Sequence, residues 1–342
     1  MPLTQGLSNV ASSKPIGDAP PSSDCLQYYM NAVYSNRIKA TNRTQPYFSA
    51  RPSIGLLDRG RVNRVLLFDG CFDPPHVAHL KLLKYVYTQA RTRLNIVGAV
   101  ILPWSEHSCN TVARNRENRA IWNNDPPSEG HHVHFPLAER MKMWSEDPDF
   151  PAWASVLDIA VWDVFRDQLI KATSFEGYEL RFTLLRGMDH LRLGMRVFHA
   201  LNTNEIISSD ITRKAEFVTK DGLLRLSKGA TPWTIWDVKE SLQAAKTVKV
   251  PEEGRIMLVL PSKEMLTYGG IEVAPFYFCR VNGTQDLVLY IAKPEEENGN
   301  EHGGLSSTHI RSMMKMGHIE EHAITGEVAS LVLGPHRSGS SR

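Results

Sequence analysis

Val65-Leu66-Leu67-Phe68-Asp69-Gly70-Cys71-Phe72-Asp73-Pro74-Pro75-His76-Val77-Ala78-His79-Leu80 runs from an apolar stretch, through a tight Gly-containing loop, into a helix start with two histidines. Asp73 has the short oxygen-bearing side chain of an N-cap, and Pro74 suits the first helical position, where no N–H is missed. A helix begun there sets His76 and His79 three residues apart, side by side on its first turn. The N-terminus of a helix offers N–H donors and a partial positive charge, so two imidazoles beside it make a site for phosphate oxygens.

Outward from this stretch, apolar runs alternate with amphipathic ones. Residues 62–68 read as the first strand, and Leu80, Leu83 and Tyr87 continue a helical stripe behind it. Residues 96–102 are almost wholly apolar, as in a strand buried on both faces. The spacing predicts helices over 137–144 and 162–171, the latter with Val161, Val164, Phe165 and Leu169 inward, and strands over 156–161 and 180–185. Short strands are expected at 205–207, 215–218 and 255–260, with a helix at 235–244. The runs 276–280 and 287–291 flank Asn282-Gly283, a hairpin signal. Helices at 307–316 and 325–333 complete the pattern. Alternating strands and helices predict an α/β domain, Rossmann-like and doubly wound, on a mostly parallel sheet with a C-terminal helical segment.

Around this single domain, 62–335, the flanks differ in composition. Residues 1–23 are rich in Ser, Pro, Gly and Asn and read as disordered; 24–61 form an N-terminal arm in which Tyr28, Tyr29, Met30, Val33 and Tyr34 suggest a short helix; 336–342 are a polar tail. The segment 105–136 is a long polar loop carrying Arg114, Arg116, Arg119, His131, His132 and His134. The three histidines read as a solvated loop rather than a metal site.

At 342 residues with 42% hydrophobic and 22% charged content, the chain has ample material for a core. Its formal charge of +2 is too small to indicate nucleic acid or an anionic membrane as partner, so any anion affinity is local. Cys25, Cys71, Cys109 and Cys279 are widely spaced with no CxxC pair, and read as thiols of a reducing compartment. No apolar run approaches the roughly 18 residues of a membrane span. The first residues lack the order of a signal or transit peptide, so a cytoplasmic or nuclear location is the expectation. Self-association is left open.

Ligands of an open parallel sheet sit beyond the carboxyl ends of its strands. Three segments occupy such places: residues 70–79; Gly187-Met188-Asp189-His190-Leu191; and Gly303-Gly304-Leu305-Ser306-Ser307-Thr308-His309-Ile310-Arg311. In the third, Ser306 is an N-cap, Ser307 and Thr308 add hydroxyls, and Arg311 brings a guanidinium suited to bidentate phosphate contact. Two anion-binding helix ends suit a polyphosphate. Neither a GxxxxGK[ST] loop nor a GxGxxG turn is present.

Gly70-x-Phe72-Asp73-Pro74-x-His76-x-x-His79, followed near the C-terminus by Leu305-Ser306-Ser307-Thr308-x-Ile310-Arg311, resembles the nucleotidyltransferase superfamily, and most of all the nicotinamide/nicotinate mononucleotide adenylyltransferases. Gly187-Met188-Asp189-His190-Leu191 is similar to their Gly-x-Asp-x-Leu segment, and Glu139-Arg140-Met141-x-Met143 to the helix after their second strand.

The resemblance implies direct attack of an acceptor phosphate on the α-phosphorus of ATP, with pyrophosphate leaving. His76 and His79 would hold ATP phosphates and the developing charge, and Ser306, Ser307, Thr308 and Arg311 the β- and γ-phosphates bridged by Mg²⁺. Gly70, Cys71 and Phe72 would let the backbone approach the nucleotide, Cys71 as a contact without thiol chemistry. Gly187 and Asp189 would meet the adenosine or the acceptor ribose.

The chain departs from the family's pattern in three places. Ala78 stands where a Gly usually precedes the second histidine. No Trp follows the Gly-x-Asp-x-Leu segment, leaving Phe198, Trp162 and Trp153 as candidates to stack on a base. Trp104-Ser105-Glu106-His107-Ser108 occupies the place of a basic loop residue. The acceptor would be nicotinamide or nicotinate mononucleotide. The alternatives are another phosphorylated acceptor, of the phosphopantetheine or phosphocholine type, or a catalytically silent nucleotide-binding homologue. A zinc site at His76 and His79 lacks further ligands at suitable spacing.

Overall fold

The computed structural model describes residues 24–38, 46–48, 55–111, 135–188, 191, 200–218, 224, 229–235, 247–249, 256–258, 266–268 and 271–293. In chain order the elements are α1 (Leu26–Val33), β1 (Asn63–Gly70), α2 (Val77–Leu94), β2 (Ile96–Pro103), α3 (Leu137–Ser145), β3 (Ala154–Val156), α4 (Trp162–Phe175), β4 (Leu180–Leu185), β5 (Glu205–Ser209), β6 (Thr234–Ile235), β7 (Thr247–Lys249), β8 (Ile256–Leu258), β9 (Leu266–Tyr268), β10 (Ile271–Val273), β11 (Phe276–Arg280) and β12 (Leu287–Ile291).

Eight strands form one sheet in the order β3-β2-β1-β4-β5-β12-β11-β6. Pairing is parallel from β3 through β12, and antiparallel only at β12–β11 and β11–β6. The chain winds outward from β1 through β2 to β3, then returns to place β4 on the other side of β1. The winding therefore reverses between β1 and β4, and a crevice opens above such a junction at the carboxyl ends of the strands. Two short antiparallel pairs, β7–β8 and β9–β10, stand apart from this sheet.

Period-two alternation in β1 sends Val65 and Leu67 to one face and Leu66 and Phe68 to the other. The first face packs with Leu26, Tyr29 and Met30 of α1 and Trp162, Phe165 and Leu169 of α4. The second packs with Leu80, Leu83, Val86 and Tyr87 of α2 and Met141 and Trp144 of α3. With both faces covered, the central strands have no wet side, so β2 is buried at every position. At the opposite ends of the strands, Arg64 of β1 makes a two-point contact with Glu205 of β5, at 2.8 and 3.2 Å. Thr183 of the intervening β4 donates to the same carboxylate at 2.9 Å.

Several expected boundaries shift. The helix after β1 starts at Val77, not Pro74, because Pro74 and Pro75 precede an extended His76 (φ −149°, ψ 167°) whose carbonyl accepts the first helical bond, from His79 N–H at 2.9 Å. It ends at Asn95, which takes the left-handed conformation (φ 52°) that Asn tolerates well. The strand expected at 156–161 ends at Val156, since the Asp158 carboxylate accepts from Ala160 N–H and opens a 3₁₀ turn, Ile159–Val161. Val164 is 56% exposed rather than inward, because Trp162, Phe165 and Leu169 take the core-facing stripe of α4. Residues 215–218 make a turn with one bridge, Val218 to Leu224, not a strand. Residues 234–235 pair as strand β6 instead of beginning a helix. Tyr28 is exposed, while Tyr29, Met30, Val33 and Tyr34 are buried as part of the first core face.

The segments 1–23, 112–134 and 236–244, and everything after Lys293, lie outside the described residues. These include the expected helices at 307–316 and 325–333 and the tail. Among the described residues no helix is long and apolar enough to cross a membrane.

Candidate functional site

The carboxyl end of β1 delivers Asp69 and Gly70 to the crevice, and the next nine residues wrap its rim. Phe72 has φ +43°, a left-handed backbone unusual for an aromatic residue and strained by about 1–3 kcal/mol. Its ring is held by an aromatic nest, edge-on to Phe68 (4.9 Å), His79 (5.0 Å) and Trp144 (5.3 Å). A Cβ at Gly70 would lie 3.1 Å from that ring, so the glycine allows the turn to close over it.

His76 is the N-cap of α2, and His79 is its third residue. The two rings are stacked, with centroids 3.6 Å apart and planes at 28°. The expected pairing is therefore present although the helix starts later. His76 N–H donates to His79 Nδ1 at 3.3 Å. An accepting Nδ1 leaves the proton of a neutral His79 on Nε2. His76 is 6% exposed, and its Nδ1 is buried with no hydrogen-bond partner among the described residues. Burial, helped by the positive charge of Arg213, pushes its pKa down to about 3, so the ring is neutral.

Asp73 is not the helix cap. Its Oδ1 accepts from Phe135 N–H at 2.9 Å and so anchors the entry to α3. Arg140 of α3, 1% exposed, completes the attachment. Its guanidinium donates to the carbonyls of Phe135 (2.9 Å), Trp104 (2.8 Å) and Cys71. One side chain thereby joins the loops after β1 and β2. Trp104 reinforces the junction, its backbone N–H donating to Gly70 O at 2.8 Å and its indole N–H to Asp69 Oδ2 at 2.9 Å.

Gly187 follows β4 directly. Phe68 and Leu185 are register partners, so Gly70 and Gly187 stand two positions past the same rung, on the two strands where the winding reverses. Between them lies a pair that sequence reasoning missed. Arg186 Nη1 is 3.1 Å from Asp69 Oδ1, with both side chains buried. Arg186 Nε has no hydrogen-bond partner among the described residues, while its carbonyl accepts from Ser208 Oγ. The available signal was a charged residue immediately before a glycine at the end of each of two apolar strands; only the register makes them neighbours.

The structure thus brings Gly70, Cys71, Phe72, His76, His79 and Gly187 to one end of the sheet. Trp162 is elsewhere: it is 1% exposed in the first core face, edge-on to Phe182 at 5.1 Å, and presents no ring face to a base. Trp153 is stacked on Tyr87 at 3.6 Å. Asp189, Phe198, Ser306, Ser307, Thr308 and Arg311 lie outside the described residues. Among the described residues no three His, Cys, Asp or Glu side chains are grouped to hold a metal. Asp69 and Asp73, the two carboxylates in the rim, are engaged by protein donors.

A comparison with protein-family models finds no match for this chain, and a search among curated proteins finds no similar sequence.

Proposed function

We propose that the protein transfers the adenylyl group of Mg-ATP to a phosphorylated acceptor, on a Rossmann-like doubly wound domain in which the β1–β4 crevice holds the nucleotide. The stacked His76–His79 pair at the first turn of α2, beside the junction of β1 and β4, carries this reading. Helix N–H groups and imidazole donors at that place complement phosphate oxygens. His79 offers Nε2–H, and a neutral His76 acts as a hydrogen-bonding group rather than a cation. Its ring stacks on His79 and fixes that donor's direction. The acceptor phosphate attacks the α-phosphorus and pyrophosphate departs, so the protein supplies position and charge stabilisation rather than a nucleophile. Mg²⁺, when bound with ATP, would neutralise the β- and γ-phosphates, with Ser306, Ser307, Thr308 and Arg311 assigned to the same phosphates by the motif they resemble. Gly187 and Asp189 are assigned to a ribose on the same ground.

The acceptor proposed is nicotinamide or nicotinate mononucleotide, which makes the product a dinucleotide of NAD biosynthesis, formed in the cytoplasm or nucleus. Purified full-length protein with Mg-ATP is to be assayed against these two mononucleotides, phosphopantetheine and phosphocholine, following pyrophosphate and the adenylylated product. Dinucleotide formation with a mononucleotide, lost in folded His76→Ala and Arg311→Ala variants, is the expected result. ATP turnover that is the same without an acceptor, or binding without turnover over the whole panel, overturns the reading.

A further inference from the structure

The four cysteines fall into two environments. Cys25 and Cys279 are buried in the core, where burial raises the Cys279 thiol to about 12 and makes it inert. Cys71 and Cys109 meet at the rim of the crevice. Cys71 is half-buried in the loop after β1; Cys109 is buried in the helical turn 106–111 that follows β2. The Cys71 side chain is the largest influence on the Cys109 thiol. Cys109 Sγ also lies 3.9 Å from the Cys71 carbonyl oxygen and 3.6 Å from Arg140 Nη1. A guanidinium at that distance stabilises thiolate character, and the Cys109 thiol is accordingly lowered from its ordinary value, first by the Cys71 hydrogen bond and then by Arg140. Two neighbouring cysteines, Cys71 within reach of solvent and Cys109 Sγ beside a buried cation that also holds the Cys71 carbonyl, are an arrangement suited to thiol–disulfide exchange.

We propose that Cys71 and Cys109 form a reversible intrachain disulfide by exchange with a small disulfide of the glutathione class. The proposal does not depend on the catalytic reading above. With the Cys109 proton first released to solvent, Cys71, the more exposed sulfur, attacks one sulfur of RSSR as its own proton passes to the Cys109 thiolate, and RS⁻ leaves. Cys109 then loses its proton and attacks the Cys71 sulfur, breaking the mixed disulfide and expelling the second RS⁻. Two electrons move from the protein sulfurs to RSSR, and the two thiol protons end on the two released thiols. Closure brings the two sulfurs to a bond of about 2.05 Å. The bond staples the loop carrying Phe72 and Asp73 to the segment after β2, on the rim of the crevice. A small dithiol reverses it by the same exchange.

The test is made on reduced, full-length, folded protein. It is incubated with glutathione disulfide, quenched in acid, alkylated after unfolding, digested, and read by mass spectrometry. The expected product is a peptide pair joined through Cys71 and Cys109 that a dithiol separates, with Cys25 and Cys279 recovered as alkylated thiols. In Cys109→Ser the exchange should stop at a stable glutathione adduct on Cys71; in Cys71→Ser, Cys109 should stay unmodified over the time in which the parent protein is cross-linked. Recovery of Cys71 and Cys109 as alkylated thiols from the treated parent protein overturns the proposal. So does a lasting adduct on Cys71 without the cross-link. Both of these readings come from the parent protein and stand even if a variant does not fold.

Discussion

Asp69 and Arg186 form a buried ion pair, Nη1 to Oδ1 at 3.1 Å, at the point where the sheet reverses its winding. Each closes an apolar strand, and the parallel register of β1 and β4 sets them side by side. Trp104 holds the other carboxylate oxygen. Removing one partner of such a pair leaves a buried charge without compensation, at a cost of about 3–5 kcal/mol. Arg186→Met should therefore lower stability to urea by about that amount. Asp69→Asn together with Arg186→Met should cost less than the sum of the single changes. Additive losses across the three variants would show that the pair is not coupled.

The buried neutral state of His76 sets a pH dependence. Its pKa is about 3 in the folded protein against 6.5 ordinarily, so between those values the unfolded chain binds the extra proton. Stability from this group is complete above pH 6.5 and declines as pH falls toward 3, with a slope of up to about 1.4 kcal/mol per pH unit. Between about pH 7 and about pH 5 the parent protein should lose roughly 2 kcal/mol more than His76→Gln, read from urea midpoints. Equal losses in both proteins would contradict a neutral His76.

Gly55 supports the N-terminal arm against β2. Its φ is +94°, its carbonyl accepts from Leu26 N–H at 2.9 Å, and a Cβ there would meet Val97 O at 2.6 Å. Backbone strain and a clash with main chain act together, so Gly55→Ala should cost about 2–3 kcal/mol and lower the melting temperature by several degrees. An unchanged melting temperature would mean that α1 does not need its place against the sheet.

Arg140 donates in several directions to three carbonyls, which a planar guanidinium can do and a lysine ammonium on a flexible stem cannot reproduce. Arg140→Lys should cost about 2–4 kcal/mol, and hydrogen exchange should speed up at amides 71–73 and 104–109 well before it does in β1. Uniform acceleration along the chain would point to general loosening instead.

Much of the fold was legible because its signals are local. The apolar runs of β1, β2 and β4, the stripe of α2 and the Asn282-Gly283 hairpin each depend on neighbours within one element. The misread positions are those where something non-local or a side-chain hydrogen bond decided the outcome. Asp158 ended a strand by accepting from Ala160, and Asp73 was claimed by Phe135, 62 residues away, rather than by its own helix. Trp162 was a stacking candidate by residue type alone, and its place in the core removed it.

The sequence by itself determined the alternating α/β order and the meeting of His76 with His79, since the residue that caps a helix and the third residue within it are neighbours. Only the tertiary structure decided that Asp69 would neighbour Arg186, that Cys109 would reach the Cys71 backbone, and that Arg140 would tie two loops together. These pairs are separated by 117, 38 and 69 or fewer residues, and no local rule joins them. Strand order and parallel register brought them to one end of the sheet, where burial left each polar group dependent on a partner from a distant part of the chain.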